Sequence, residues 1–310
     1  MNFKNIIGLF ILSALTVSCV KGPPQKNSGK KNAKSTSNAS GSPISEKADT
    51  IEVVKTLKLA APAFKETLAK TTTESKVTAL KQIYARPNSP KDTDIWFSNN
   101  EFQRPVCVVS ETQNDCSPKI PREYQGLTLV NAIRFDKGYF LTYGHKANEG
   151  HLVLITDEEI KKAEYALDFS SYLNLPNILP VKDVSTAMGI NYLKLENEVL
   201  YVSYGHKNFS KHTQGNNSFL TALKMPDGKA LWHSKPLVAN SVNFVTLVDS
   251  IITGYGYTSE PDYLFILNKH TGALSQQIGL KTGPDYIVHR GNEVYVRTYS
   301  TNYIFEIERL

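Results

Sequence analysis

The chain has 310 residues, three of them cysteine, and a formal net charge of +6. That length allows one or two domains with a sizeable core. Between Val20 and Lys47 stand Lys21, Lys26, Lys30, Lys31, Lys34 and Lys47 against Glu46 alone, so the positive balance is local and the remainder is close to neutral, and nucleic acid is not an expected partner.

Residues 1–19 have the shape of an export signal. Lys4 supplies a positive start, Ile6 to Val17 is an apolar run too short to span a bilayer as a helix, and the small Ser18 precedes Cys19. The stretch Leu15-Thr16-Val17-Ser18-Cys19 resembles the lipobox of bacterial lipoproteins, with Thr16 where that family usually carries leucine. The resemblance implies that Cys19 becomes the lipidated N-terminus and that the protein is anchored in the membrane through it. Val20 in second place, rather than aspartate, implies sorting to the outer membrane, facing the periplasm. The plainer alternative is an ordinary signal peptide that contains a cysteine.

Residues 20–50 are Lys-, Ser- and Asn-rich with almost no large apolar side chain, so they read as a flexible tether. Its lysines are either a solvated spacer or a contact for anionic lipid heads or peptidoglycan. Over residues 51–94, Ile51, Val54 and Leu57, and then Val77, Leu80, Ile83 and Tyr84, recur at helical spacing, which predicts short amphipathic helices and a Pro-containing linker. They either pack on the domain that follows or form a partner-binding hairpin. Ile95-Trp96-Phe97 and Val106 to Val109 are apolar enough for strands. Cys107 and Cys116 share a polar stretch, and an oxidising compartment favours a disulfide between them. Metal ligation is the alternative, but the spacing matches no zinc pattern.

From Leu127 onward short apolar strands alternate with Gly, Asn and Asp turns. Tyr143-Gly144-His145-Lys146 is answered by Tyr204-Gly205-His206-Lys207, then Tyr255-Gly256-Tyr257, then Tyr299-Ser300, at steps of 61, 51 and 44 residues. Propeller blades of four strands occupy about 40–50 residues, and the long first step leaves room for an insertion over Ser170 to Thr186. The fourth unit lacks a last strand before Leu310, and Val106 to Ser110 is a natural donor to close it.

The turns Met225-Pro226-Asp227-Gly228-Lys229-Ala230-Leu231-Trp232 and Leu267-Asn268-Lys269-His270-Thr271-Gly272-Ala273-Leu274 resemble those of quinoprotein-type (PQQ-like) propeller repeats. The resemblance covers Val199 to Leu310 and is degenerate, with Ser275-Gln276 where Trp232 stands one unit earlier. The family includes an envelope lipoprotein that is a scaffold and not an enzyme, which makes a binding role one implication of the resemblance.

The expected fold is all-β, a small propeller of four or five blades over residues 95–310 with a helical appendage at 51–94. Second-strand ends gather on one face of such a fold, which proposes Tyr143, His145, Tyr204, His206, Tyr255, Tyr257 and Tyr299 as a binding face; the plainer reading makes the tyrosines wedge fillers between blades. No Gly-x-Ser-x-Gly elbow, phosphate-cradling loop or EF-hand spacing occurs, and acids are sparse near that face. The expected function is an envelope-anchored scaffold for a protein or peptide, with no enzymatic role, cofactor or metal. The alternatives are a binding domain for a sugar or cell-wall fragment, and a quinoprotein-like enzyme.

Overall fold

The computed structural model describes residues 51–61, 78–89, 103, 105–109, 116–146, 149–173, 188–206 and 209–309. Cys19, the tether and Ile95-Trp96-Phe97 lie outside them. Strand β1 (Glu52–Lys58), β2 (Thr78–Pro87), β3 (Pro105–Val108) and β4 (Glu123–Tyr124) come first. Then follow β5 (Leu127–Phe135), β6 (Gly138–Gly144), β7 (Gly150–Thr156) and β8 (Lys162–Asp168); β9 (Gly189–Glu196), β10 (Val199–Gly205), β11 (Phe219–Lys224) and β12 (Lys229–His233); and β13 (Val245–Thr246), β14 (Ser250–Tyr255), β15 (Tyr263–Asn268) and β16 (Leu274–Gly279). The chain ends with β17 (Pro284–Arg290), β18 (Glu293–Thr298) and β19 (Thr301–Arg309).

These strands build four sheets. The first blade runs β1-β8-β7-β6-β5-β3, with β4 also on β5; the next two run β12-β11-β10-β9 and β13-β14-β15-β16; the last runs β17-β18-β19-β2. The fold is all-β and propeller-like, and the four repeat units fall one to a blade. The third unit opens on a strand of only two residues, Val245–Thr246.

Where the expected helical appendage is described it is strand, while residues 62–77 and 90–94 lie outside the described residues. Residues 52–58 pair in parallel with β8, and residues 78–87 pair antiparallel with β19. The first segment carries a second periodicity, Ile51, Val53, Leu57 and Leu59, that alternates by two and turns toward the blade. The helical spacing of Leu80, Ile83 and Tyr84 loses to the open edge of β19, whose ladder groups need partners. The closing strand of the last blade is therefore β2. Cys107 and its neighbours pair instead with β5, on the inner side of the first blade. Cys107 and Cys116 are bonded, and both are buried.

Packing between blades follows the alternation of each strand. Ile133, Phe140, Val153 and Leu167 of the first blade meet Tyr192, Leu193 and Val202 of the second, in a core that continues to Ile251, Phe265 and Leu267 of the third. On the other side of the third blade, Ile252, Leu264 and Ile266 meet Ile287, Val294, Val296 and Phe305 of the fourth. Leu129, Leu141, Tyr143 and Leu154 on the far face of the first blade are covered by Ile51 and the segment around the disulfide.

Two turn glycines explain the repeated motif. Gly272 has φ +68°, and a Cβ there would lie 2.4 Å from the Trp232 ring, so the indole of one blade seats on the turn of the next. Trp232 Nε1 donates to Lys269 O in the same turn (2.9 Å). Gly228, at φ +71°, receives Leu59 in the same manner, so the segment after β1 stands in for the missing tryptophan of the first blade. Gln276, at the Trp232 position of the third blade, accepts from Leu80 N–H (2.8 Å) and donates to Leu80 O (3.1 Å) on β2.

That two-point bond recurs. The Asn243 amide bonds both backbone groups of Ile287 (2.9 and 2.7 Å) and also donates to Gln103 O; the Gln103 amide does the same to His289 (2.8 and 3.3 Å). Asn240 holds Gly256 (3.1 and 2.9 Å) and Asn217 holds His206 (2.6 and 3.1 Å). Each carboxamide has one acceptor and a donor pair, so it replaces one rung of a ladder where no strand runs.

Candidate functional site

Three tyrosines of the repeated motif, Tyr143, Tyr204 and Tyr255, face inward. Tyr143 and Tyr204 are wholly buried and Tyr255 nearly so. Tyr143 Oη donates to Pro121 O (3.1 Å), Tyr204 Oη bonds His233 Nδ1 (3.2 Å), and Tyr255 Oη donates to the Glu260 carboxylate. Burial holds the phenols of Tyr143 and Tyr204 well above their ordinary range, so neither ionises to act as a base. These three rings fill the packing within and between blades.

The other proposed residues are scattered. His206 is buried, and its ring nitrogens have no hydrogen-bond partner among the described residues. Burial, with His212 nearby, lowers the affinity of its ring for a proton. His145 is exposed, with its ring 5.5 Å from that of His151. Tyr257 is half-buried against Phe209 (5.7 Å) and Tyr255 (6.4 Å). Tyr299 is 88% exposed in the turn between β18 and β19. No continuous aromatic face joins them. Among the described residues no three His, Cys, Asp or Glu side chains converge as a metal site would need.

The blades leave open a groove of about 570 Å³ between the third sheet and the chain that leaves the second. Sheets set side by side around an axis diverge outward, so side chains that touch near the axis part at the rim. Tyr263, Phe265 and Leu267 of β15 and Leu274 and Gln277 of β16 form one wall. Pro236, Leu237 and Val238, on the chain leaving β12, form the other, with Tyr255 and Pro261 at one end. Leu274 is 47% exposed there. Lys235 is the one charged side chain among the described lining residues, and it is exposed.

Sequence reasoning missed the groove, although a signal was present. Every residue from Tyr263 to Leu267 is apolar, so both faces of β15 require cover, and the neighbouring β12 is only five residues long. A second cavity, of about 920 Å³, lies at the turn end of the first and second blades, lined by Phe135, Tyr165 and Leu195 and by Asp136, Asp157, Glu164 and Glu198 among others.

No family model and no curated protein sequence matches this chain. Among solved structures it is similar to BamB from Moraxella catarrhalis, at 13% identity and a TM-score of 0.32, over 56% of this chain and 57% of that one. It is also similar to the computationally designed Ika4 protein (10% identity, TM-score 0.29, 65% of this chain and 98% of that one). The computationally designed Ika8 protein is a third (9%, 0.28, 58% of each chain). Likenesses this distant carry no functional argument, and the fold rests on the sheets described above.

Proposed function

We propose that the chain is an envelope-anchored scaffold that binds a polypeptide, without a catalytic role. The observation that supports it is the groove between the second and third blades: an apolar slot with a half-exposed leucine and the edge of β16 beside it, open to solvent. The anchor is the lipidated Cys19, and residues 20–50 hold the blades away from the membrane. The groove replaces the tyrosine face as the recognition surface, since Tyr143, Tyr204 and Tyr255 spend their hydroxyls on internal bonds and Tyr299 stands apart in an exposed turn. Among its described lining residues the slot holds no converging acid, base or nucleophile.

A photo-crosslinking residue at the exposed Ala273, compared with one at Val248, which is 75% exposed in a different hairpin, tests the reading in intact envelopes. A discrete polypeptide adduct at 273, absent at 248 and lost on Leu274→Arg, is the expected result. Equal labelling at both positions, or none at 273, overturns it.

A further inference from the structure

We infer that the groove takes its partner as an added strand: an extended apolar segment paired along β16, with an acidic group at Lys235. The inference rests on the polypeptide reading above and specifies its chemistry.

The first observation is the edge. β16 is the outermost strand of the third sheet. Leu280 N–H donates to Asp262 O (2.8 Å), in register with the Tyr263–Gly279 and Leu264–Ile278 pairs. In an antiparallel ladder, residues bonded to the neighbour alternate with residues whose N–H and C=O point away. Leu280 and Ile278 are therefore committed to the chain of β15, and Gln277 and Gly279 present their backbone groups outward. Edge strands of this kind invite a further strand unless they are blunted by charge, proline, a bulge or a cover, and the bulge of β16 lies at Ser275, short of Gln277 and Gly279. β16 carries no charged residue and no proline, unlike β2, which has Lys81, Arg86 and Pro87.

The second observation is the slot beside that edge. A strand laid along β16 turns alternate side chains into the slot beside Leu274 and Gln277, where an apolar residue would leave water. The third is charge. The slot holds no carboxylate among its described lining residues, and no described ion pair involves Lys235. Lys235 stands where the chain climbs from β12 toward Asn240, whose N–H donates to Gly254 O beside Tyr255 (2.8 Å), at the same end as Pro261 and Tyr263. An ammonium at the mouth of an otherwise uncharged apolar slot selects an acidic group on the incoming segment and disfavours a basic one.

The test is fluorescence anisotropy on the full-length chain with two labelled hexapeptides of alternating valine and threonine around one phenylalanine, one ending in an aspartate and the other in a lysine. The aspartate peptide should bind about tenfold more tightly than the lysine peptide, and Lys235→Glu should reverse that order. Gln277→Pro should weaken the aspartate peptide about tenfold or more, because it removes an outward N–H and leaves the β15 pairing whole. An unchanged thermal melt of the Gln277→Pro protein confirms that the sheet survived. Equal affinity for both peptides, or indifference to Gln277→Pro, overturns the inference. Binding of dodecanoate but of neither peptide makes the slot an acyl site and also overturns it. If neither peptide binds while the Ala273 adduct forms, strand addition falls and the polypeptide reading stands; if both are absent, both fall.

Discussion

Gly272 and Gly291 share a left-handed backbone, at φ +68° and +59°, but not a neighbourhood. A methyl group at 291 meets nothing within 4 Å, whereas one at 272 meets the Trp232 ring. Gly291→Ala should therefore cost about 1 kcal/mol, the penalty of the backbone region alone. Gly272→Ala should cost about 3 kcal/mol or more, because the indole and its bond to Lys269 O must shift as well. Urea midpoints of the two variants compare these directly. His233 sets a pH dependence. Burial pushes its imidazole from the ordinary 6.5 down to about 4. The folded protein refuses a proton that the unfolded chain accepts, so this contribution is complete above pH 6.5 and is lost as pH falls toward 4. The loss should be on the order of 3 kcal/mol, and His233→Phe should flatten that part of a stability–pH profile. At this scale the sequence revealed what its turns must be, since Asp-x and Thr-Gly joints fix the local backbone. It could not show that Tyr143 and Tyr204 spend their hydroxyls inward, because Pro121 and His233 reach them only through the fold.

Strands were legible where a hairpin joined them. From Leu127 onward short strands alternate with turns as the pattern indicates, and the four repeat units fall one to a blade. The misreadings are long-range. β2 pairs with a strand more than two hundred residues away, and its helical spacing was a property of the segment alone. The dependence of the last blade on that segment is testable. A chain that begins at residue 78 should keep a cooperative melt, apart from what the loss of β1 takes from the first blade. One that begins at residue 90 should lose cooperativity and aggregate through the bare β19 edge. Circular dichroism melts and light scattering of the pair decide it. The disulfide acts at the same scale. Its cysteines are 9 residues apart, so Cys107→Ser with Cys116→Ser should lower stability by about 2–3 kcal/mol through the freed unfolded chain.

Across the whole molecule, blades are joined by a few polar clasps set in apolar contact. Lys269 Nζ, almost fully buried, bonds Glu196 (2.7 Å) and Leu247 O (3.0 Å), tying the third blade to the second, and Thr246 Oγ1 donates to the same carboxylate (2.6 Å). Burial alone would raise the Glu196 carboxyl, but the bonds from Lys269 and Thr246 outweigh it and leave it below its ordinary value. The clasp therefore contributes stability that falls away as pH drops through the carboxylate range. Lys269→Met should cost about 3 kcal/mol, since the carboxylate is left behind, and should speed hydrogen exchange first in β9 and β14.

The carboxamide rungs have a chemical lifetime. Each works because one end accepts and the other donates. Hydrolysis of the Asn243 amide, which releases ammonia, would leave a carboxylate facing the Ile287 and Gln103 carbonyl oxygens, with a buried negative charge where a donor had been. Old protein should thus come apart along the seam between the third and fourth blades before its ladders fail, and the aspartate-bearing fraction should be the one that proteases cut first.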